Sequence, residues 1–136
     1  MNRTLTVTVK SDEEFAADVE EGIRKLKAGE PVDPGHTVSF LTQEHLMETF
    51  SPTRLALIRT VAEDEPESIR ETARMVDRDV KNVHEDLSLL DQLGVIWFED
   101  EGQAKRPVFP FDELVISVEF DRDGDPVEDV DAPMPP

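Results

Sequence analysis

The 136-residue sequence contains no cysteine, no tyrosine and a single tryptophan. Without cysteine the chain can form no disulfide bond, carry out no thiolate chemistry and supply no zinc-finger ligand set of the usual kind. No apolar run approaches the ~18 residues that a membrane-spanning helix needs, so we expect no membrane partner. These absences are typical of a protein in a reducing cytoplasm, which is the location that we expect.

Groups that could carry catalysis or hold a cofactor are also scarce. His36, His45 and His84 lie far apart in the sequence, and none stands at a metal-binding spacing from another histidine or a glutamate. The six glycines never cluster as a phosphate-binding loop. We therefore predict that the protein is not an enzyme and binds no cofactor or metal ion.

Positive charge is in short supply, because 32 acidic residues face 14 basic ones and the formal net charge is −18. Such an excess at first argues against a nucleic-acid partner, since attraction to phosphate dominates that kind of binding. The acidity, with only five lysines, also indicates adaptation to high salt, where the Debye length falls to a few ångströms. Residues 68–82 hold a local balance of +1 and are the one island that is not acidic.

This island overlaps a predicted helix-turn-helix. Ser68 and Glu71 stand at capping-box spacing, which predicts the start of one helix. After a tight break, Asp77 is predicted to cap a second helix that Gly94 ends. The apolar positions of this second helix recur at steps of three and four, and they are Val80, Val83, Leu87, Leu90 and Leu93. Two helices joined by a few residues form a helix-turn-helix.

The segment behind the second helix predicts a β-hairpin. Residues 95–98 form a short apolar run, residues 99–103 a polar turn with Gly102, and residues 104–109 a returning strand. A helix-turn-helix followed by such a hairpin is a winged helix, and the alternative is an ordinary helical hairpin with a solvated polar face. We expect Trp97 at the junction between hairpin and core, with blue-shifted emission, because large aromatic side chains dominate small cores.

The first 50 residues predict a strand-helix-strand extension. Residues 3–9 alternate as a half-buried strand, Ser11 caps a helix that Gly29 ends, and residues 37–41 form a second strand. The predicted helix has an apolar stripe along one side. Two strands and one helix cannot bury both faces alone, so the extension must pack on the winged helix or on a second copy.

These elements predict an α+β fold, a winged helix-turn-helix with an N-terminal strand-helix-strand extension. The extension takes residues 1–50, the winged helix residues 51–120, and a disordered acidic tail residues 121–136. Winged helices that bind DNA usually read two half-sites as dimers, so a homodimer with the extension at its interface is favoured. An extension that only caps the core of its own chain is nearly as good an interpretation, and both stay open.

Four stretches of the chain carry a family resemblance. They are residues 51–59 (SPTRLALIR), 68–74 (SIRETAR), 78–87 (RDVKNVHEDL) and 93–96 (LGVI). Together they resemble a family of small predicted transcriptional regulators, common in haloarchaea and found in bacteria, that are similar to MarR-type winged helices. The resemblance covers about residues 1–120, and it implies that Arg78, Lys81, Asn82 and His84 read DNA.

The pattern of side chains adds further candidates for DNA contact. The same four residues lie away from the apolar stripe of the second helix, where side chains can reach phosphates or base edges. The full predicted DNA-binding set, with the arginines of the island and the two basic residues of the hairpin, is Arg70, Arg74, Arg78, Lys81, Asn82, His84, Lys105 and Arg106. We predict a sequence-specific regulator that binds double-stranded DNA; the alternative is an acidic protein-interaction or antitoxin-like module that binds a basic protein. The sequence identifies no small-molecule effector.

Overall fold

The computed structural model describes residues 3–29 and 36–119, which form an α+β fold. In chain order the elements are β1 (Thr4–Val9), α1 (Asp12–Ala28), β2 (His36–Phe40), α2 (Gln43–Thr49), α3 (Pro52–Asp64), α4 (Ile69–Val76), α5 (Val80–Gln92), β3 (Trp97–Glu101), β4 (Ala104–Val108) and β5 (Glu113–Ser117). Among these helices none is both long and apolar enough to cross a membrane. The predicted tail, residues 121–136, lies outside the described residues.

Short hydroxyl side chains begin four of the helices. The hydroxyls of Ser11, Thr42, Ser51 and Ser68 each accept a hydrogen bond from the backbone amide three residues further on. Each bond satisfies an amide that has no partner inside its own helix. At α1 the predicted capping box is complete, because the Glu14 carboxylate accepts from the Ser11 amide at 2.8 Å.

β1 is the centre of a three-stranded parallel sheet with the strand order β2-β1-β5. In the register of the sheet, Leu5 lies opposite His36 of β2 and opposite Leu114 of β5. Apolar residues alternate with threonines along β1, so the side chains of Leu5 and Val7 point into the core. β5 therefore pairs with a strand of the predicted extension. Residues on both sides of position 50 therefore contribute strands to one sheet.

One hydrophobic core joins the sheet to the helices that follow it. Its buried members are Leu5, Val7, Val38, Phe40, Leu46, Phe50, Leu57, Ile58, Val61, Ala73, Val83, Leu87, Leu90, Val95 and Ile96. Every element from β1 to α5 except α1 contributes to this set. The face of the sheet that carries Leu5 and Val7 thus packs on α2 and shares one core with α3, α4 and α5.

Trp97 is 45% exposed, so the predicted location at the junction with the core is wrong. Val95 and Ile96 fill that junction instead, with 0% and 2% exposure. The reason is that β3 begins only at Trp97, two residues later than predicted. Trp97 therefore belongs to the hairpin, where it pairs with Val108 of β4, and not to the buried segment before it. The loop of this hairpin has two residues, and Gly102 at its first position has φ +70°, as a type II′ turn requires.

Candidate nucleic-acid interface

The junction between α4 and α5 is a turn of three residues, positions 77–79. Asp77 has a left-handed backbone with φ 57°, and its amide donates to the Arg74 carbonyl. The amide of Arg78 donates to the Ala73 carbonyl at 3.0 Å, which completes the pair of bonds that ends many helices at a left-handed residue. α4 therefore stops abruptly, and the chain can start a new helix in a new direction.

Asp79, not Asp77, caps α5. The Asp79 carboxylate accepts hydrogen bonds from the amides of Lys81 and Asn82 at 3.0 and 3.4 Å. The predicted cap at Asp77 is wrong because that residue already serves as the left-handed end of α4. The capping box predicted for α4 is incomplete in a similar way: Ser68 caps the helix, but the Glu71 carboxylate accepts from Arg74.

α5 has a buried side and an exposed side. Val83, Leu87 and Leu90 are fully buried, as the spacing predicts, whereas Val80 is 37% exposed and does not belong to the buried stripe. Lys81, Asn82 and His84 are all exposed. The first two turns of α5 therefore present polar and charged groups to the surroundings, and these include the exposed acid Glu85.

A groove of about 670 Å³ lies where the start of α4, the start of α5 and the β3–β4 hairpin meet. Its lining residues are Ser68, Ile69, Arg70, Val80, Lys81, His84, Gln103, Ala104 and Lys105. Four predicted DNA-binding residues are thus brought together, and the described lining contains no aspartate or glutamate. We call this surface the basic groove. A second groove, which shares Ser68, Arg70 and Val80 with it, adds Arg74, Arg78 and the acid Glu71.

Arg78 is held by an acid at the edge of this surface. The Asp86 carboxylate accepts from Arg78 Nη2 at 2.8 Å and from Arg54 Nε at 3.0 Å, and its side chain is 14% exposed. Arg54 also donates to the carbonyls of Glu48 and Thr49. This cluster links the middle of α5 to α3 and to the end of α2. Arg78 therefore has a structural partner within the chain, whereas the sequence predicted only a DNA contact for it.

Arg74 and Arg106 also have acidic partners within the chain. Arg74 donates to Glu71 at 2.6 Å, and this hydrogen bond, with the attraction between the two charges, raises the pKa of Arg74. Arg106 donates to Glu99 across the hairpin at 3.1 Å, which raises the pKa of Arg106. The positive charge of both guanidinium groups is thus partly balanced by a carboxylate of the same chain, which weakens their attraction to a phosphate.

Lys105 and Arg106 point to opposite faces of β4. Successive side chains of a strand alternate, so Lys105 lines the basic groove while Arg106 lies beside Glu99 and Glu101. The prediction treated them as one contact, and the structure brings only Lys105 to the other candidates. Gln103, at the hairpin loop, was missed; its place in a polar turn two residues before Lys105 is the signal that could have identified it.

The region that builds this surface also matches a protein family. The HVO_A0114 family model matches residues 49–116, half of the chain. The chain belongs to the HVO_A0114 family. No curated protein and no solved structure matches it.

The HVO_A0114 match begins at the last residue of α2 and ends inside β5. It contains the whole basic groove and all eight predicted DNA-binding residues, and it leaves out β1, α1 and β2. The name of the HVO_A0114 family states no activity. The similarity to MarR-type regulators therefore stays a prediction.

Proposed function

We propose that this HVO_A0114 family protein is a sequence-specific DNA-binding transcriptional regulator that acts in the cytoplasm. In this proposal α3, α4, α5 and the β3–β4 hairpin form a winged helix-turn-helix. The exposed first turns of α5 enter the major groove, and the hairpin contacts the adjacent backbone. Two copies read two half-sites, so the active form is a homodimer.

The observation that carries the proposal is the basic groove. A chain with a net charge of −18 would be expected to place acids around any cavity of this size, yet none lines this groove in the described residues. A groove between α3 and β5, in contrast, has Glu63, Asp112 and Glu113 in its lining beside Arg59. Positive charge is thus concentrated on the surface that a winged helix would turn towards DNA.

The proposed roles of the residues in the basic groove, and of Asn82 beside it, follow from the chemistry of their side chains. Arg70, Lys81 and Lys105 are cations that can neutralise phosphates and fix the register of the protein on the duplex. Asn82 follows Lys81 on the exposed face of α5, and an asparagine can pair with both polar atoms of an adenine edge. His84 can donate or accept a hydrogen bond at a base edge. The turn of three residues between α4 and α5 has the length that helix-turn-helix motifs use.

The excess of acid elsewhere does not oppose this binding at high salt. At 1 M salt the Debye length is about 3 Å, so charges more than one side chain away from a phosphate are screened. Contacts inside the basic groove are at hydrogen-bond range and persist. We therefore expect affinity to depend on these few residues and hardly on the net charge.

The test begins with selection of duplexes from a randomised library at several salt concentrations. Binding of the selected duplex and of a scrambled duplex is then measured by fluorescence anisotropy for the wild type and three variants. Lys105→Ala should lower affinity for both duplexes and reduce the slope of log K against log salt by about 0.9, the value for one phosphate contact. Arg106→Ala is the matched control, because it removes a cation from the opposite face of the same strand, and it should leave the slope unchanged.

Asn82→Ala separates base reading from phosphate contact. It should cost about 1–3 kcal/mol on the selected duplex and much less on the scrambled one. If no duplex is enriched at any salt concentration, or if Lys105→Ala and Arg106→Ala behave alike, the proposal is wrong. Binding of a basic protein by the wild type in that case would support the acidic protein-interaction module.

A further inference from the structure

The helix α1 has an apolar stripe that the described residues, 3–29 and 36–119, leave exposed. Phe15, Val19, Ile23 and Leu26 are between 45% and 68% exposed, and no residue of α1 is buried. Most of the stability of a helix in a protein comes from packing of its apolar face, and α1 has only Phe15 beside Phe40 and Leu41 at one end of its stripe. The stripe is therefore a surface that needs a partner.

The spacing of the stripe is that of a two-helix seam. Phe15, Val19, Gly22 and Leu26 follow each other at steps of four, three and four, which is the alternation of the d and a positions of a coiled coil. Gly22 lies in the middle of this seam, and a Cβ added there would meet no atom of the described residues within 4 Å. A second helix could thus approach closely at Gly22.

The distribution of charge along α1 favours one orientation of a partner helix over the other. Its first ten residues hold six acids, and all its basic residues, Arg24, Lys25 and Lys27, lie in the last five. A parallel copy would set the acidic half against another acidic half. An antiparallel copy sets the acidic first turns of each helix against the basic last turn of the other, and only Glu20 and Glu21 near the middle face acids.

We propose that α1 pairs in antiparallel orientation with α1 of a second copy of this chain. In the register that the seam dictates, Phe15 lies against Leu26 of the second copy and Val19 against its Gly22. Asp18, which contacts Lys10 in its own chain, lies on the flank of the seam beside Lys25 of the second copy. This interface gives the homodimer of the proposed function its contact surface, but it does not depend on the binding of DNA.

The first experiment measures association of the full chain without DNA, by sedimentation over a concentration series. Val19→Glu places an unpaired carboxylate in the seam and should weaken association at least about tenfold. Ala17→Glu is the matched control, since it adds the same charge to the opposite side of the same helix, and it should leave association unchanged. Val19 and Ala17 are both exposed, so both variants should fold.

The second experiment determines direction, and the absence of cysteine from the sequence makes it clean. Phe15→Cys and Leu26→Cys chains are oxidised separately and as a mixture. In an antiparallel pair two cysteines at position 15 are about 16 Å apart along the helix axes, given a rise of 1.5 Å per residue, and cannot form a disulfide. Positions 15 and 26 lie at the same height, so the mixture should yield disulfide-linked dimers and the separate chains should not.

The third experiment tests the charge pairing at low salt. Asp18→Lys and Lys25→Asp should each weaken association about tenfold, because each sets two like charges together in a symmetric dimer. The chain with both changes should recover to within about threefold of the wild type. At high salt these differences should shrink, while the effect of Val19→Glu persists.

Several results would overturn the proposal. One is a wild type that stays monomeric at every concentration; another is a dimer that survives Val19→Glu and so uses another surface, such as the open edge of β5. Cross-linking of the separate cysteine chains would show a parallel pair. Because none of these measurements contains DNA, they can fail while the basic groove still binds a duplex, and the reverse also holds.

Discussion

α1 and α5 are both amphipathic helices, yet the chain treats them in opposite ways. α5 buries Val83, Leu87 and Leu90 completely, whereas α1 buries no residue in the described structure. The spacing of apolar residues predicts an apolar stripe on both helices, and such a stripe is expected to be buried. The periodicity of a sequence thus indicates that a helix face will be covered, but it does not indicate whether the same chain covers it.

The cause lies in what surrounds each helix. α5 is preceded, after three residues, by α4 and is followed directly by the buried residues Val95 and Ile96. Core residues thus lie next to both ends of its apolar stripe. α1 connects two neighbouring parallel strands, β1 and β2. The buried residues of these strands already share one core with α2 to α5. Its stripe therefore has no apolar surface left to meet within this core.

The largest expected effect comes from the same substitution made in both helices. Leu87→Ala removes a fully buried side chain from α5 and should lower the free energy of unfolding by about 2–5 kcal/mol. Leu26→Ala removes one that is 68% exposed in α1, and at concentrations below self-association it should change stability by less than about 0.5 kcal/mol. Denaturant titration of dilute protein measures both. Equal losses would mean that α1 is packed into the core in solution.

A smaller effect is expected from the acids that the two helices use. Asp86→Asn in α5 weakens two hydrogen bonds from arginines at a site that is 14% exposed, and it should cost about 1–3 kcal/mol. Asp18→Asn in α1 affects one ion pair at a site that is 54% exposed, and it should cost less than about 0.5 kcal/mol. Titrations at low and high salt measure the two costs. A cost for Asp86→Asn that vanishes in salt would contradict a structural role for this carboxylate.

The smallest pair of effects concerns glycine, and the two signs should differ. Gly94 ends α5 with φ +82°, and a Cβ there would lie 2.6 Å from His36 Nε2, so Gly94→Ala should destabilise by about 1–2 kcal/mol. Gly22 lies in the middle of α1 with open space around it, so Gly22→Ala should increase helix stability by up to about 1 kcal/mol. Thermal unfolding followed by circular dichroism reports both changes. Stabilisation by Gly94→Ala would show that the contact with His36 is not maintained.

Much of the local structure was predictable because its causes are local. The caps at Ser11 and Ser68, the ends of helices at Gly29 and Gly94, and the alternation of β1 depend on a few neighbouring residues, and these predictions are confirmed. The errors at Asp77 and Asp79 are also local. Both residues are good caps, and only the backbone of the turn decides which one begins α5.

The candidate surface was predictable in composition but not in geometry. The cluster of cations around α5 is visible in the sequence, and Glu71 is the i,i+3 neighbour of Arg74 in one helix, whereas the carboxylates that hold Arg78 and Arg106 are not assigned by any local rule. The Asp86 pair with Arg54 joins residues 32 positions apart. Likewise, nothing short of the folded sheet reveals that β5 lies beside β1.

That last pairing has a consequence for how the protein folds. Thr4 and Glu113 are neighbours in the sheet but lie 109 positions apart, so the central strand can complete its hydrogen bonds only after a very large loop has closed. The hairpin and the turn between α4 and α5, in contrast, join near neighbours and can form within microseconds. The contact order of the sheet should therefore set the folding rate, and the surface around the start of α5 can take shape before β1 finds its second partner.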